Sequence, residues 1–232
     1  MLRLRSMPSL IDALFMPSCC ACGQEAPLIV APYAGVRACE RCALDLSPTN
    51  IQVSLRECRR RYAFFEYDGA VVPLLSRSKD EAYGSHYYAV QALFTDAATQ
   101  LISHEKAVEI IVTQVPPSLR RSLTGWYLPS AMARHLAKKI NAKYAHLLRR
   151  KKQVTRQSVL GAIERRTNVH GCFAPRRFQM GNFTKDALVV VVDDVSTTGA
   201  SLGEAVRCLR QIGYTNVMAI SLAISPLRSR GC

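Results

Sequence analysis

From residue 62 onward, continuous apolar runs alternate with segments in which apolar residues recur at helical spacing, and this pattern predicts the elements of the chain. Continuous apolar runs predict strands at residues 62–67, 108–115, 187–192 and 217–223. Apolar residues at helical spacing predict helices at residues 85–102, 128–140 and 201–212, with Gly213 as the stop of the last one. The polar, basic stretch 149–168 has little periodicity and is predicted as a mobile loop or a short helix.

The order of these elements predicts a fold class. The run 187–192 is rich in valine, which is typical of a central parallel strand buried on both faces. Pro116 and Pro117 end the second strand, because proline cannot continue a ladder. Strands that alternate with helices predict right-handed parallel crossovers. We therefore expect an α/β domain with a doubly wound, mainly parallel sheet.

The N-terminal section carries a different signal, which comes from cysteine spacing. Cys19, Cys22, Cys39 and Cys42 form two C-x2-C pairs, the arrangement expected of a tetrahedral zinc site. Disulfides or unconnected buried thiols are the alternatives, and Cys20 or Cys58 could replace one ligand. Zinc binding contributes on the order of 10 kcal/mol to folding, enough to order so short a segment. We expect a zinc-finger-like module at residues 1–50 and a larger domain at residues 51–232.

Composition and charge narrow the class of protein. The chain has 232 residues, of which 49% are hydrophobic and 21% charged, as expected of a globular protein. No apolar run is long enough to predict a membrane span, and Asp12 interrupts the apolar N-terminal stretch that a secretory signal would need. These features favour a cytoplasmic location.

A formal net charge of +14 favours polyanionic partners. The basic residues concentrate in stretches 56–61, 149–156 and 165–177. Such runs suit a phosphorylated ligand, nucleic acid, or both, and a solvated surface is the alternative for each run.

The turn that follows the valine-rich run carries the most specific chemistry. Asp193 and Asp194 are predicted at the end of the strand, where carboxylates suit a ribose diol or a magnesium ion that bridges a pyrophosphate. A helix is predicted to start directly after the turn, and its free N–H groups would receive a phosphate. An ordinary turn with a good N-cap is the alternative. The candidate phosphate loop consists of Ser196, Thr197, Thr198, Gly199, Ala200 and Ser201.

An apolar strand, two acidic residues and a threonine-glycine loop in this order resemble the type I phosphoribosyltransferases. The resemblance implies that Asp193 and Asp194 hold the ribose hydroxyls of phosphoribosyl pyrophosphate (PRPP), taken with Mg²⁺. It also implies that Thr197, Thr198, Gly199 and Ser201 cradle the 5′-phosphate.

The wider chain resembles the competence protein F (ComF) family, in which a zinc finger precedes a phosphoribosyltransferase-like domain. The cysteine pairs, the segment QVPPSLRR, the series from Gln157 to Asn168 and the acidic loop carry the resemblance. The chain departs from the family at Thr124-Gly125-Trp126-Tyr127-Leu128, where an Arg-Gly-Phe-Asn-Gln run is usual. Members of the family are associated with natural transformation, which implies the DNA-uptake machinery as a partner. The +14 charge together with Trp126 and Tyr127 favours single-stranded DNA, held by backbone contacts and stacking. The superfamily commonly forms homodimers.

The sequence is compatible with three functions: a DNA-uptake factor that binds PRPP, an active phosphoribosyltransferase, and a PRPP-sensing regulator. All three use the same loop. The candidates for contact with pyrophosphate or DNA are Arg120, Arg121, Arg165 and Arg166. No catalytic residue and no acceptor base is assigned.

Overall fold

A six-stranded sheet lies at the centre of the protein. The structure, a computed structural model, describes residues 17–31, 33–52, 58, 60–80, 83–107, 109–118, 121–122, 126–151, 170–176 and 183–225. The strands of the sheet are β3 (Ile51–Gln52), β4 (Arg61–Glu66), β5 (Ile110–Gln114), β6 (Lys143–Tyr144), β9 (Leu188–Ser196) and β10 (Val217–Ile224). Their order is β3-β4-β10-β9-β5-β6, with β3 antiparallel to β4 and the other neighbours parallel.

Helices cover both faces of the sheet. The helices are α1 (Glu40–Asp45), α2 (Val71–Asp80), α3 (Ser85–Ile102), α4 (Leu128–Lys139) and α5 (Ala200–Gln211). Val190 and Val192 pack in one buried cluster with α2, α3 and α4, whereas Val189 and Val191 pack in a second cluster with α5. Successive side chains of a strand point to opposite faces, so this valine run supplies both cores. The predicted doubly wound, mainly parallel α/β fold is confirmed.

Two small antiparallel sheets of two strands each accompany the central sheet. Strands β1 (Leu28–Val30) and β2 (Arg37–Cys39) pair in the N-terminal section, directly before α1. Strands β7 (Leu148–Arg150) and β8 (Phe173–Pro175), which follow β6 in the chain, pair with each other. Buried residues of the N-terminal section, among them Cys19, Cys42 and Leu46, belong to the same core cluster as Phe64 and Leu74. The N-terminal section is therefore packed onto the larger domain through a continuous core.

Most predicted elements are present, with shifted ends. The helix predicted at 85–102 has those bounds, and the other two predicted helices agree within one residue at each end. Arg149 and Arg150, predicted as loop, lie in β7, and most of the rest of that predicted loop lies outside the described residues. The periodicity did not reveal α2, which contains Pro73 in its first turn, where the missing N–H removes no intrahelical bond.

The predicted position of the acidic pair along its strand is wrong. Asp193 and Asp194 were expected at the end of their strand, but β9 continues to Ser196 and pairs with β10 as far as Ile224. The acidic pair therefore lies within a central strand, at a level where β9 still pairs with β10 but its pairing with β5 has ended at Val192. Among the residues described, no helix is both long and apolar enough to span a membrane.

Candidate functional site

The acidic pair lies near the carboxyl end of β9, where a buried strand leads into a helix. Asp193 and Asp194 are 9% and 8% exposed. Asp193 Oδ1 accepts the N–H of Asp194 at 3.0 Å, and Asp194 Oδ1 accepts the N–H of Val195 at 2.7 Å. Burial raises the pKa of Asp193 well above its usual value, and the charge of Asp194 raises it further. A cation bound at the pair would offset the repulsion between the two carboxylates.

A lysine that the sequence did not point to balances this charge. Lys79 Nζ, at the end of α2, lies 2.9 Å from Asp194 Oδ2, and both side chains are largely buried. Arg121 Nη1 lies 3.9 Å from the same oxygen, with the arginine side chain 46% exposed. No motif surrounds Lys79, so only its position in space reveals its role. Arg121 was a sequence candidate, whereas Arg120, Arg165 and Arg166 lie outside the described residues.

The loop after the acidic pair makes a tight turn into α5. Gly199 has φ +76°, in the left-handed region that glycine tolerates best, and stands at the N-cap of α5. Thr198 Oγ1 accepts the N–H of Ala200 at 3.3 Å, while Thr197 is exposed and Ser201 half-buried. The N–H groups in the first turn of α5 have no carbonyl within the helix to which they could donate. The structure thus brings the predicted loop residues to one helix N-terminus.

A buried arginine lies below this loop. Arg61, in β4, is 2% exposed, and its guanidinium donates a hydrogen bond to Ser196 Oγ. Burial lowers the pKa of Arg61, while the nearby charges of Cys58 and Asp193 act in the opposite direction. Positive charge below the loop adds to the attraction for an anion at the start of α5. In the sequence, Arg61 belongs to the basic run 56–61, and no motif there indicates its role.

A cavity of about 440 Å³ opens beside the acidic pair. Tyr127 lines this cavity and is also close to the acidic pair. Burial raises the pKa of Tyr127 well above its usual value, and the charges of Asp193 and Asp194 raise it further. The cavity carries a strong positive charge and is suited to a phosphorylated ligand. Its cationic lining consists of Arg121, Arg149, Arg150 and Arg176.

A closed hydrogen-bond network forms one wall of the cavity. Gln114 Nε2 lies 2.6 Å from His146 Nδ1, and Tyr144 Oη donates to Gln114 Oε1 at 3.0 Å. His146 Nε2 lies 3.2 Å from Tyr144 Oη. Burial lowers the pKa of His146, and Arg134 and Arg176 lower it further. These effects favour the neutral ring, in which Nδ1 can accept from the Gln114 amide while Nε2 carries the proton. The wall is thereby held in one arrangement.

Aromatic side chains border the cavity on its other side. The Trp126 ring centroid lies 4.7 Å from that of Tyr87, which also contacts Tyr83 and Tyr88. Tyr83 and Tyr88 are 74% and 57% exposed. Trp126 Nε1 donates to the backbone oxygen of Lys79 at 3.3 Å. An exposed aromatic surface thus adjoins the cationic cavity.

The four predicted cysteines meet at a second site. The Sγ atoms of Cys19, Cys22, Cys39 and Cys42 all lie within 4.8 Å of one another, and those of Cys22 and Cys39 are 4.0 Å apart. Four thiolates at about 2.3 Å from a tetrahedral zinc ion would be separated by about 3.8 Å. The donor set and its spacing therefore fit zinc.

The neighbouring cysteines differ from these four. Burial opposes ionisation of Cys19, but backbone N–H groups, including that of Cys39, lower its pKa to about 6. Burial raises the pKa of Cys20 to about 12, and Cys20 stands outside the group of four. Cys58 packs in the other core cluster, and its thiol donates to the Arg60 carbonyl. The two possible replacements are thus not part of the group.

Solved structures that are similar to this chain include three phosphoribosyl enzymes. The glutamine PRPP amidotransferase of B. subtilis is 22% identical (58% of this chain, 26% of that chain, TM-score 0.37). Orotate phosphoribosyltransferase of Aeropyrum pernix is 19% identical (67% and 78%, TM-score 0.37). Adenine phosphoribosyltransferase of Trypanosoma brucei, in complex with AMP, pyrophosphate and ribose-5-phosphate, is 13% identical (76% and 87%, TM-score 0.40).

The chain spans about a quarter of the length of the amidotransferase. No family model matches the chain, and no curated protein matches it. By its own architecture, the protein is a doubly wound α/β protein with an acidic pair inside a central strand, near its carboxyl end, and a four-cysteine group.

Proposed function

We propose that the chain binds PRPP, with the ribose at the acidic pair and the 5′-phosphate at the N-terminus of α5. This proposal rests on one observation: the ribose and phosphate parts of the proposed site follow each other directly in the chain. The buried carboxylates of Asp193 and Asp194 are followed, within one loop, by the left-handed turn at Gly199. Carboxylates accept hydrogen bonds from a ribose diol, and helix N–H groups donate to a phosphate. One ligand with both groups satisfies both halves of the site.

The cationic cavity receives the pyrophosphate in this proposal. Arg121 lies at the boundary, near Asp194 and in the cavity lining. Arg149, Arg150 and Arg176 add positive charge further from the acidic pair. Arg120, Arg165 and Arg166 stay candidates on the sequence alone. Preorganised cations of this kind stabilise a departing pyrophosphate.

Two metals belong to the proposal. Mg²⁺ bound with PRPP would neutralise phosphate charge, and Asp193 and Asp194 are the carboxylates placed to hold it or the ribose. Zinc at the four cysteines would be structural, since four thiols leave no open position.

At the level of biological role, we propose a ComF-like protein of natural transformation with a type I phosphoribosyltransferase-like domain, acting in the cytoplasm. A zinc module at residues 1–50 and a domain at 51–232, the uptake machinery as partner and a homodimer are parts of this proposal. The alternatives are an active phosphoribosyltransferase and a PRPP-sensing regulator. Release of pyrophosphate with a base acceptor separates the transferase from the other two.

Isothermal titration with PRPP and Mg²⁺ tests the ligand. We expect the zinc-bound protein to bind PRPP and the double variant Asp193→Asn/Asp194→Asn to lose detectable binding, because amides keep the shape of the carboxylates but lose their charge. Loss of two charge-assisted hydrogen bonds corresponds to about 3–6 kcal/mol, or a hundredfold and more in Kd.

The matched control is Glu204→Gln, which removes a buried carboxylate that pairs with Arg207 on α5. This variant should bind PRPP like the wild type. Absence of binding to the wild-type protein at millimolar PRPP refutes the proposal, and so does unchanged binding by the double aspartate variant.

Single-stranded DNA is the second proposed ligand, supported by the aromatic surface beside the cationic cavity. Exposed rings stack on bases, and arginines contact the backbone. We expect an oligo(dT) to bind with an affinity that falls steeply with salt. The change Tyr83→Ala/Tyr88→Ala should weaken binding about tenfold, since stacking contributes about 1–3 kcal/mol per base.

Fluorescence polarisation measures this affinity, and Tyr83→Phe/Tyr88→Phe is the control because it keeps both rings. The Asp193→Asn/Asp194→Asn protein should retain the oligonucleotide. Equal affinities of the alanine and phenylalanine variants contradict a stacking role for this surface.

A further inference from the structure

Helix α2 connects the four-cysteine group to the acidic pair, and its first contact is at its N-terminus. Asp45 Oδ2 accepts the N–H of Ala70 at 3.0 Å, immediately before the helix. Asp45 is the last residue of α1, the helix that carries Cys42. Gly69, with φ +46°, allows this approach, since a Cβ there would stand 2.5 Å from Asp45 Oδ2. The zinc module therefore provides an acceptor for an N–H group at the start of α2.

A second contact lies in the last turn of α2. The Arg77 guanidinium rests against Gly23, the residue that follows Cys22. A Cβ on Gly23 would stand 2.0 Å from Arg77 Nη1, and the backbone at Gly23 has φ +74°. The backbone directly after Cys22 thus contacts the far end of the same helix.

The body of α2 shares its core with the cysteine module. Val71, Leu74 and Leu75 are at most 3% exposed. They belong to the cluster that also contains Cys19, Cys20, Ala21, Cys42, Ala43 and Leu46. Packed interiors transmit displacements because they have little free volume. The position of α2 consequently depends on the ordered state of the module.

The other end of this connection is the ligand site. Lys79 follows Arg77 by one intervening residue, and its Nζ lies 2.9 Å from Asp194 Oδ2. The Lys79 carbonyl accepts the indole N–H of Trp126. The contacts thus run from the cysteines through α2 to Lys79, and from Lys79 to the acidic pair and to the only tryptophan of the chain.

We infer that the zinc module holds α2 in place and thereby positions Lys79 against Asp194, so that PRPP affinity depends on the module. Lys79 is a positioning residue that supplies the positive charge allowing a polyanion to approach two carboxylates. Displacement of Lys79 leaves Asp194 with less compensation and weakens anion binding. This inference rests on the proposed PRPP site, but the position of α2 can be measured without that ligand.

The test compares Asp45→Ala with Asp45→Asn in the full-length, zinc-loaded protein. Alanine removes the acceptor for the Ala70 N–H, whereas asparagine keeps one. For Asp45→Ala we expect bound zinc to stay at one equivalent, the emission of Trp126 to shift to the red, and the Kd for PRPP to rise about fivefold or more. Asp45→Asn should resemble the wild type in all three measurements.

A double-mutant cycle assigns the effect to Lys79. Lys79→Met should weaken PRPP binding, and Lys79→Arg should restore most of it because the charge returns. In the Lys79→Met background, Asp45→Ala should no longer change the Kd, since the group that it displaces is absent.

The two proposals fail in different ways. If the wild type does not bind PRPP, the proposed ligand is wrong, and the Trp126 emission still decides whether the module positions α2. If Asp45→Ala holds zinc and has the emission and Kd of Asp45→Asn, the inference is overturned. An equal Kd change from Asp45→Ala with and without Lys79 also overturns it.

Discussion

Replacement of Cys42 by alanine should release the zinc ion and destabilise the whole protein, not the N-terminal section alone. The four thiols lie within 4.8 Å of one another, so loss of one leaves an incomplete tetrahedral set. Because Cys42 and Leu46 pack in the core that also contains Phe64 and Leu74, the loss extends to the sheet. We expect the free energy of unfolding to fall by at least about 3 kcal/mol, part of the roughly 10 kcal/mol that such a zinc ion contributes.

That loss corresponds to a decrease in Tm of about 6–12 °C for a chain of this size. Atomic emission measures the zinc content, and calorimetry measures the Tm. Cys20→Ala is the matched control, since Cys20 is a buried thiol of the same section that stands outside the group of four. It should keep one zinc. A Cys42→Ala protein that retains one equivalent would contradict the assignment of the site.

Replacement of Gly199 by alanine should abolish most PRPP binding while zinc stays bound. Gly199 has φ +76°, and an alanine in this region costs about 1–2 kcal/mol. The variant can avoid the strain by moving the loop, which takes the N–H groups at the start of α5 away from the phosphate. We expect the Kd for PRPP to rise at least about tenfold, since preorganised donors are effective only when correctly placed.

Gly35→Ala separates backbone strain from loss of the site. Gly35 has φ +63°, and a Cβ there meets no atom within 4 Å, so it carries a similar strain far from the loop. Urea unfolding should show comparable destabilisation of the two variants, and titration should show weaker PRPP binding only for Gly199→Ala. Equal losses of affinity in both would indicate a general effect of stability, contrary to the proposed site.

Elements with strong periodicity were predictable because their pattern is local. The helix at Ser85–Ile102 has buried residues at regular helical spacing along its whole length, and the valine run of β9 is apolar at every position. Short strands such as Ile51–Gln52 and Lys143–Tyr144 have no pattern of their own. They are strands because a longer neighbour provides the ladder, which a local pattern does not contain.

The acidic pair shows where prediction at the site was partial. The order of strand, carboxylates and hydroxyl-rich turn was visible, but Asp193 and Asp194 continue the strand instead of ending it. Hydrogen bonding to β10 extends the strand to Ser196, overriding the low strand preference of aspartate. Tertiary pairing therefore decided how deeply the carboxylates are buried.

The sequence by itself determined the four-cysteine group, the candidate phosphate loop and the doubly wound order, because each depends on residues close together in the chain. Only the tertiary structure placed Lys79 against Asp194 and Arg61 below Ser196, since these partners come from separate elements. The same holds for the cavity wall, in which Gln114 of β5 meets His146 beyond β6. Contacts of this kind depend on how strands and helices pack, and no local spacing of residue types encodes them.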